Sequence, residues 1–329
     1  MLHIHNGDSA AGTARNAGLP GVHLAWREAL VCGPAPAGLF DDEFRRVRAE
    51  HLASAYGQNL EDCIQDLRKQ EEALERFADH EEVVLWFEHD LFCQVQLIYL
   101  LNWLARQDIG KTRLSLISIY EFGGIDDFRG LGQLNESQLA SLFPQRKEMT
   151  TAQLNLGRRA WAAYTSSDPS DLLALLKSDT TALPFLREAL LKHLQRFPSA
   201  RNGLGRIEDL ALELVASGHH EFGTLFSAFG KTEPVYGYGD LQFYLELKAL
   251  ADAPHPLVTI DDADGKPSAN KVTKTSLQVS QIGRSVLRGE KDFVRMNGID
   301  KWLGGVHLTG IESAWRWDES DENLISDRL

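Results

Sequence analysis

A run of hydrophobic residues from Val83 to Phe87 ends abruptly in three polar residues, Glu88, His89 and Asp90. Apolar and β-branched residues in such a short run favour a buried strand. An apolar segment long enough for a helix, from Leu91 to Leu104, follows at once. Strand, polar tip and helix in this order are typical of an open α/β sheet, where ligands bind beyond the carboxyl ends of the strands.

Three further segments of the N-terminal part have the same pattern, namely residues 2–5, 22–26 and 113–119. Each is strand-like and ends in polar residues, and helix-length segments separate the first strand from the second and the third from the fourth. Parallel pairing with right-handed crossovers is the simplest arrangement of such units. The pattern therefore predicts an α/β domain over residues 1–125, with a small Rossmann-like or flavodoxin-like parallel sheet.

The remainder of the chain divides into two predicted parts. Residues 126–218 have helical periodicity interrupted at prolines, and Asn135 with Gln138 resembles a capping box at a helix start. Residues 219–329 combine two predicted helices, 241–251 and 275–287, with strand-like segments at 256–260, 304–308 and 314–317. The last two segments are predicted to pair as a β-ribbon. Helices followed by a ribbon predict a winged-helix-like α+β domain.

Composition narrows the class of protein. The chain has 329 residues and a formal net charge of −13, which makes it a poor non-specific binder of nucleic acid. Its three cysteines form no C-x-x-C pair and indicate a reducing compartment. Neither a signal peptide nor an apolar run long enough to span a membrane is visible. A cytoplasmic protein without a membrane partner is therefore expected.

Polar side chains at the strand tips form the candidate site, because the carboxyl ends of parallel strands meet at one sheet edge. These residues are His5, Asn6, Asp8, Ser9, Arg27, Glu28, Glu88, His89, Asp90, Tyr120 and Glu121. Polar residues after all four strands predict a pocket more specifically than they predict a reaction.

The first tip has the sequence Asn6-Gly7-Asp8-Ser9. Gly7 allows a tight turn, and Ser9 with the free amides of the following helix is suited to hold a phosphate or carboxylate. The alternative is that Asp8 simply caps that helix. The segment is neither G-x-G-x-x-G nor a P-loop, so neither nucleotide motif is indicated. For the second tip, Arg27 either pairs with Glu28 or clamps an anionic substrate.

The third tip offers two carboxylates and an imidazole. Asp8, Glu88 and Asp90 are candidate ligands for a divalent cation such as Mg²⁺ or Mn²⁺, which prefer oxygen donors. His89 is a candidate general acid or base, with Asp8 and Glu88 as catalytic partners. In the structural alternative, Asp90 caps the following helix and His89 bonds a carbonyl group.

A basic window lies between Lys266 and Arg295. It contains Lys266, Lys271, Lys274, Arg284, Arg288, Lys291 and Arg295 against Glu290 and Asp292. On a winged-helix-like module this window would contact DNA phosphates. The alternative is a solvated charged face.

Several motifs together resemble a known family. They are His3-Ile4-His5-Asn6-Gly7-Asp8-Ser9, Trp26-Arg27-Glu28, Gly33-Pro34, Leu85-Trp86-Phe87-Glu88-His89-Asp90-Leu91 and the C-terminal run from Asn297 to Leu308. The chain resembles an uncharacterised bacterial domain family of unknown function with its accompanying C-terminal domain. The resemblance spans most of the chain and implies that the strand tips are motif positions, but it implies no activity. Many members of the resembled family carry an acid just before the Gly-Pro, where this chain has Cys32, so the resemblance implies no acidic cluster at that position.

Two functional hypotheses follow. In the first, the strand-tip pocket binds a phosphorylated or nucleotide-like small molecule, and the protein is a metal-assisted hydrolase or transferase. His5, Asn6, Gly7, Ser9, Arg27, Glu28 and Tyr120 would then contact the ligand. In the second, the protein is a ligand-responsive transcriptional regulator or partner-binding protein that acts through its C-terminal module.

Overall fold

The computed structural model describes residues 1–39, 41–261, 275–311 and 315–326. It divides into two compact units, one of Met1–Leu190 with Gly304–Val306 and the other of Leu191–Leu303 with His307–Leu329. The predicted α/β class is confirmed by a mixed sheet and many helices. The predicted division into domains 1–125, 126–218 and 219–329 stays a prediction.

The part of the chain up to Leu194 contains the elements β1 (Leu2–Asn6), α1 (Asp8–Asn16), β2 (Val22–Trp26), β3 (Gly33–Pro34), α2 (Asp41–Tyr56), α3 (Leu60–Glu75), β4 (Glu82–Trp86), α4 (Leu91–Leu104), β5 (Arg113–Ile117), α5 (Glu136–Leu142), β6 (Lys147–Glu148), α6 (Thr151–Thr165), α7 (Ser170–Leu176) and α8 (Leu186–Leu194). The part after Leu194 contains α9 (Arg206–Ala216), α10 (Phe222–Thr232), α11 (Asp240–Ala251), β7 (Val258–Asp261), β8 (Ser276–Val279), α12 (Gln281–Leu287), α13 (Phe293–Asn297), β9 (Ile299–Gly304), β10 (Val306–Gly310), β11 (Trp315–Asp318) and β12 (Asn323–Ser326).

The main sheet of the first unit has the strand order β2-β1-β4-β5-β6. The first four strands are parallel, as the sequence pattern predicts, and their order is that of a flavodoxin-like sheet. The fifth strand, β6, pairs antiparallel with β5 and is too short to leave a periodic signal. The order reverses between β1 and β4, and ligands of such sheets bind in the crevice at this switch point.

The central strand is buried, and the helix that follows it is largely buried. All five residues of β4 are buried, and α4 is apolar around most of its circumference and packs against α6. A helix without a polar face belongs in a core. Among the described helices, α4 included, none is both long and apolar enough to cross a membrane.

The second unit contains helices and small antiparallel hairpins, β7 with β8 and β11 with β12. The predicted helix over residues 275–287 is wrong in its first half, where Ser276–Val279 forms a strand. Ser280 caps α12 by accepting a hydrogen bond from the Gly283 amide, so the helix begins only at Gln281. The predicted ribbon between 304–308 and 314–317 is also wrong, because β10 neighbours β9 and β11 pairs with β12. The winged-helix assignment stays a prediction.

Candidate functional site

The turn after β1 depends on Gly7. Its φ of 84° lies in the left-handed region, where a side chain would be strained. Gly7 is the residue before α1 and offers no side-chain acceptor to the first amides of that helix. Asp8, predicted as a possible cap, instead lies inside the first turn. Asp8 and Ser9 are both exposed.

Arg27 at the tip of β2 pairs with Asp8 at the tip of β1. Two bonds of 2.6 Å join the carboxylate oxygens to Nε and Nη2 of the guanidinium. The hydrogen bonds from Arg27 lower the pKa of Asp8. Both side chains remain more than half exposed, so this pair contributes at most about 1 kcal/mol to stability. A ligand can therefore compete for Arg27 at little cost.

Glu28 does not pair with Arg27, which is one of the two alternatives for the second tip, but with Arg48 of α2. The Arg48 Nη2 atom lies 2.7 Å from Glu28 Oε1, and both side chains are buried. Arg48 also donates to the carbonyl oxygens of Ala29, Cys32 and Pro34. The pair thus fixes the segment after β2, and its carboxylate faces the interior.

Glu88 is buried beneath the loop that contains Gly130 and Leu131. The Leu131 amide donates to Glu88 Oε1 at 2.6 Å, and a Cβ atom on Gly130 would lie 2.8 Å from the same oxygen. The Cys93 thiol donates to Oε2 at 2.8 Å. Burial raises the pKa of Glu88 in spite of these hydrogen bonds.

Asp90 caps α4 by accepting a hydrogen bond from the Cys93 amide at 2.8 Å, as the structural alternative predicts. Burial, followed by repulsion from Glu88, raises the pKa of Asp90 to about 7. Possible ligand atoms of Glu88, Asp90 and Cys93 lie within 4.8 Å of one another. The structure thus brings two of the three predicted metal ligands together with Cys93, and places Asp8 in its ion pair with Arg27.

We predict that Asp90→Asn makes the stability of the protein less sensitive to a rise in pH from 5 to 8. Asparagine caps helices as well as aspartate does, but it does not ionise. Folding raises the pKa of Asp90, so the protonated carboxyl group contributes to the free energy of unfolding. This contribution is fully present below the pKa of the unfolded chain and is lost as pH rises through about 7. Between pH 5 and pH 8 the variant should gain on the order of 2 kcal/mol over wild type in urea unfolding. A constant difference between the two proteins would contradict this prediction.

His89 lies half-buried at the end of β4. Its ring meets the Phe185 ring edge to face at 6.2 Å, and its Nδ1 atom is shielded from solvent without a hydrogen-bond partner in the described part of the chain. Phe185 also contacts the Tyr120 ring at 5.7 Å, and Tyr120 is exposed at the tip of β5. The β4 and β5 tips therefore form an aromatic group around the imidazole.

His5 belongs to a group with His3, which is also buried, and His23, which is half-buried, and their ring nitrogens lie within 4.8 Å of one another. His3 Nε2 and His23 Nε2 contact carbonyl oxygens and must carry hydrogens. His3 Nδ1 then accepts from the Trp86 indole, and His23 Nδ1 accepts from His5 Nε2. Because only Nδ1 of His5 keeps an unused lone pair, this group is a network of neutral imidazoles rather than a ready metal site.

Asn6 points inward and joins β1 to α4. Its side-chain oxygen accepts from Gln96 at 2.8 Å, and its amide contacts the Cys93 sulfur. Sequence reasoning missed Cys93, although its position three residues after Asp90 is the one whose amide a helix cap reaches. It also missed Phe185, which is distant in sequence and carries no local signal.

No protein-family model matches the chain, and no curated protein matches it either. The resemblance to an uncharacterised bacterial family therefore stays a prediction.

Proposed function

We propose that the strand-tip edge of the first unit binds a phosphorylated, nucleotide-like small molecule and catalyses hydrolysis or group transfer on it. The shielded Nδ1 atom of His89 is the observation that carries this proposal. Buried polar atoms almost always have a partner, so an unpaired imidazole nitrogen beside the switch point is suited to exchange a proton with a bound substrate. His89 is thus the proposed general acid or base.

The anion is held at the β1 and β2 tips. Helix α1 is nine residues long, and its first amides have no side-chain cap. A phosphate group at this terminus would meet free N–H donors and the positive end of the helix dipole. Arg27 would exchange the exposed carboxylate of Asp8 for the phosphate, because both groups accept the same two parallel hydrogen bonds. Ser9 adds an exposed hydroxyl.

The aromatic ring of the ligand lies toward the β4 and β5 tips. Tyr120 is 56% exposed and contacts Phe185, so its ring is available for stacking. Neighbouring strands are about 4.8 Å apart, and three such steps from β2 to β5 span roughly 14 Å. This distance suits a mononucleotide better than an inorganic anion.

Glu88 and Asp90 are the proposed ligands of a divalent cation. Two buried carboxylates with raised pKa values have a proton or a cation as their natural counter-charge. Mg²⁺ or Mn²⁺ suits the two carboxylates, whereas participation of Cys93 would favour Zn²⁺. Such an ion, when bound, would supply Lewis-acid chemistry.

The ligand test uses thermal melts with nucleotides and sugar phosphates. A ligand at 100 times its dissociation constant stabilises the folded protein by about 2.7 kcal/mol. We expect Arg27→Gln to weaken binding by at least tenfold. Asp8→Asn should preserve or strengthen binding, because it releases Arg27 from its ion pair. His89→Gln should retain binding and lose turnover.

Arg46→Gln is the matched control, since Arg46 lies on α2, where it forms an exposed ion pair with Glu50, and is not one of the strand-tip residues. Equal losses of ligand affinity in Arg27→Gln and Arg46→Gln would show that the loss comes from the change in net charge and not from a contact with Arg27. Absence of a shift with every compound would refute the ligand class. The regulator alternative stays a prediction, and Lys266, Lys271 and Lys274 of its basic window lie outside the described residues.

A further inference from the structure

A cavity of about 620 Å³ lies within the second unit. Four basic side chains line it, Arg201, Lys291, Arg295 and Arg316, against the acidic side chains of Glu290 and Asp292. The whole chain carries a formal charge of −13. Because the basic side chains line a concave surface, the positive potential is concentrated inside the cavity even though the chain as a whole is acidic.

Two of the cations are held in place by neighbouring groups. Arg316 on β11 is buried and pairs with Asp292 at 3.3 Å. Arg201 donates to Asp209 and to the Leu287 carbonyl oxygen, both at 2.7 Å. A guanidinium has five N–H donors in a rigid fork, so the two bonds of Arg201 leave donors for a further acceptor.

The charge of the cavity is not balanced by its acids. Asp292 pairs with Arg316, Asp209 with Arg201, and Glu290 with Arg288 outside the lining. Lys291 and Arg295 are exposed and have no acidic partner within ion-pair distance in the described ranges. Two positive charges therefore remain after all pairs are counted.

We infer that this cavity binds a small molecule bearing a phosphate or diphosphate group. A dianion matches the two uncompensated charges, and its oxygens match the fork of Arg201. The cations come from three separate parts of the second unit, namely the segment before α9, the start of α13 and β11, and they converge on one concavity. A concavity of this volume fits a metabolite-sized ligand, whereas DNA needs an extended surface. The site is independent of the strand-tip function.

Inorganic pyrophosphate is the probe, titrated calorimetrically at constant ionic strength. The full chain carries Arg27→Gln throughout, so that the proposed strand-tip site does not contribute. We expect Arg295→Gln to weaken pyrophosphate binding by at least tenfold. Arg284→Gln is the matched control, because Arg284 is an exposed arginine on α12 outside the lining. It should change the affinity by less than twofold.

A second variant separates the cavity from its charge. Ala200 is exposed and lines the cavity, so Ala200→Trp fills the space while keeping every cation. This variant should also lose pyrophosphate binding. Retained affinity in Ala200→Trp, or an equal loss in Arg284→Gln, would overturn the proposal in favour of general surface attraction. Tight binding of a DNA duplex that pyrophosphate does not displace would overturn it in favour of a polyanion surface.

Discussion

Arg48→Met is expected to destabilise the protein by about 3–5 kcal/mol, because it leaves the buried Glu28 carboxylate without its counter-charge. Both side chains are almost fully buried, and the Arg48 Nη2 atom lies 2.7 Å from Glu28 Oε1. The substitution also removes the donors to the carbonyl oxygens of Ala29, Cys32 and Pro34. Unfolding in urea, followed by hydrogen exchange in β2, measures the loss.

Arg46→Met provides the control for Arg48→Met, since both residues lie on α2 and lose the same side chain. Arg46 pairs with Glu50 on the exposed face of the helix, where an ion pair is worth about 0–1 kcal/mol. Adding Glu28→Gln to Arg48→Met should recover part of the loss by removing the unpaired charge. Equal effects of the two arginine substitutions would show that the buried pair is not a major source of stability.

The first unit shows which features the sequence predicts and which it does not. The hydrophobic run 83–87 predicts a buried strand, and the structure has β4 there, because burial removes the apolar side chains of this run from water. The polar tips are predicted equally well, since parallel strands share an edge. The partners of the tip residues are not predicted, because pairing depends on how segments distant in sequence pack.

Arg27 and Glu28 illustrate this limit. Successive residues of an extended chain point to opposite sides, so Arg27 faces the surface and Glu28 faces the interior. Because the two residues are adjacent in an extended segment, their charged groups lie on opposite sides of the chain and do not pair. Arg27 pairs with Asp8 on the neighbouring strand tip, and Glu28 pairs with Arg48, which lies twenty residues later in the chain. Only the register of β1 against β2 and the position of α2 determine these choices.

Acid is expected to destabilise the first unit through His5. Its side chain is fully buried, stacks on the Trp86 ring and donates to His23 Nδ1. Burial, reinforced by the neighbouring histidines, lowers the pKa of His5 from 6.5 to about 2. Below pH 6.5, His5 therefore binds a proton in the unfolded chain but stays neutral in the folded chain. The stability that depends on neutral His5 is complete above pH 6.5 and is lost as pH falls.

His5→Gln isolates this effect. A glutamine amide is able to keep the donor to His23 but does not titrate. At pH 4.5, two pH units below the unfolded pKa, wild type should lose roughly 3 kcal/mol that the variant keeps. Unfolding free energies from hydrogen exchange in β1 at pH 4.5 and pH 7.5 measure the difference. His255→Gln, at an exposed position, should follow wild type at both pH values. If His5→Gln also follows wild type, the imidazole network does not set the acid stability of the sheet.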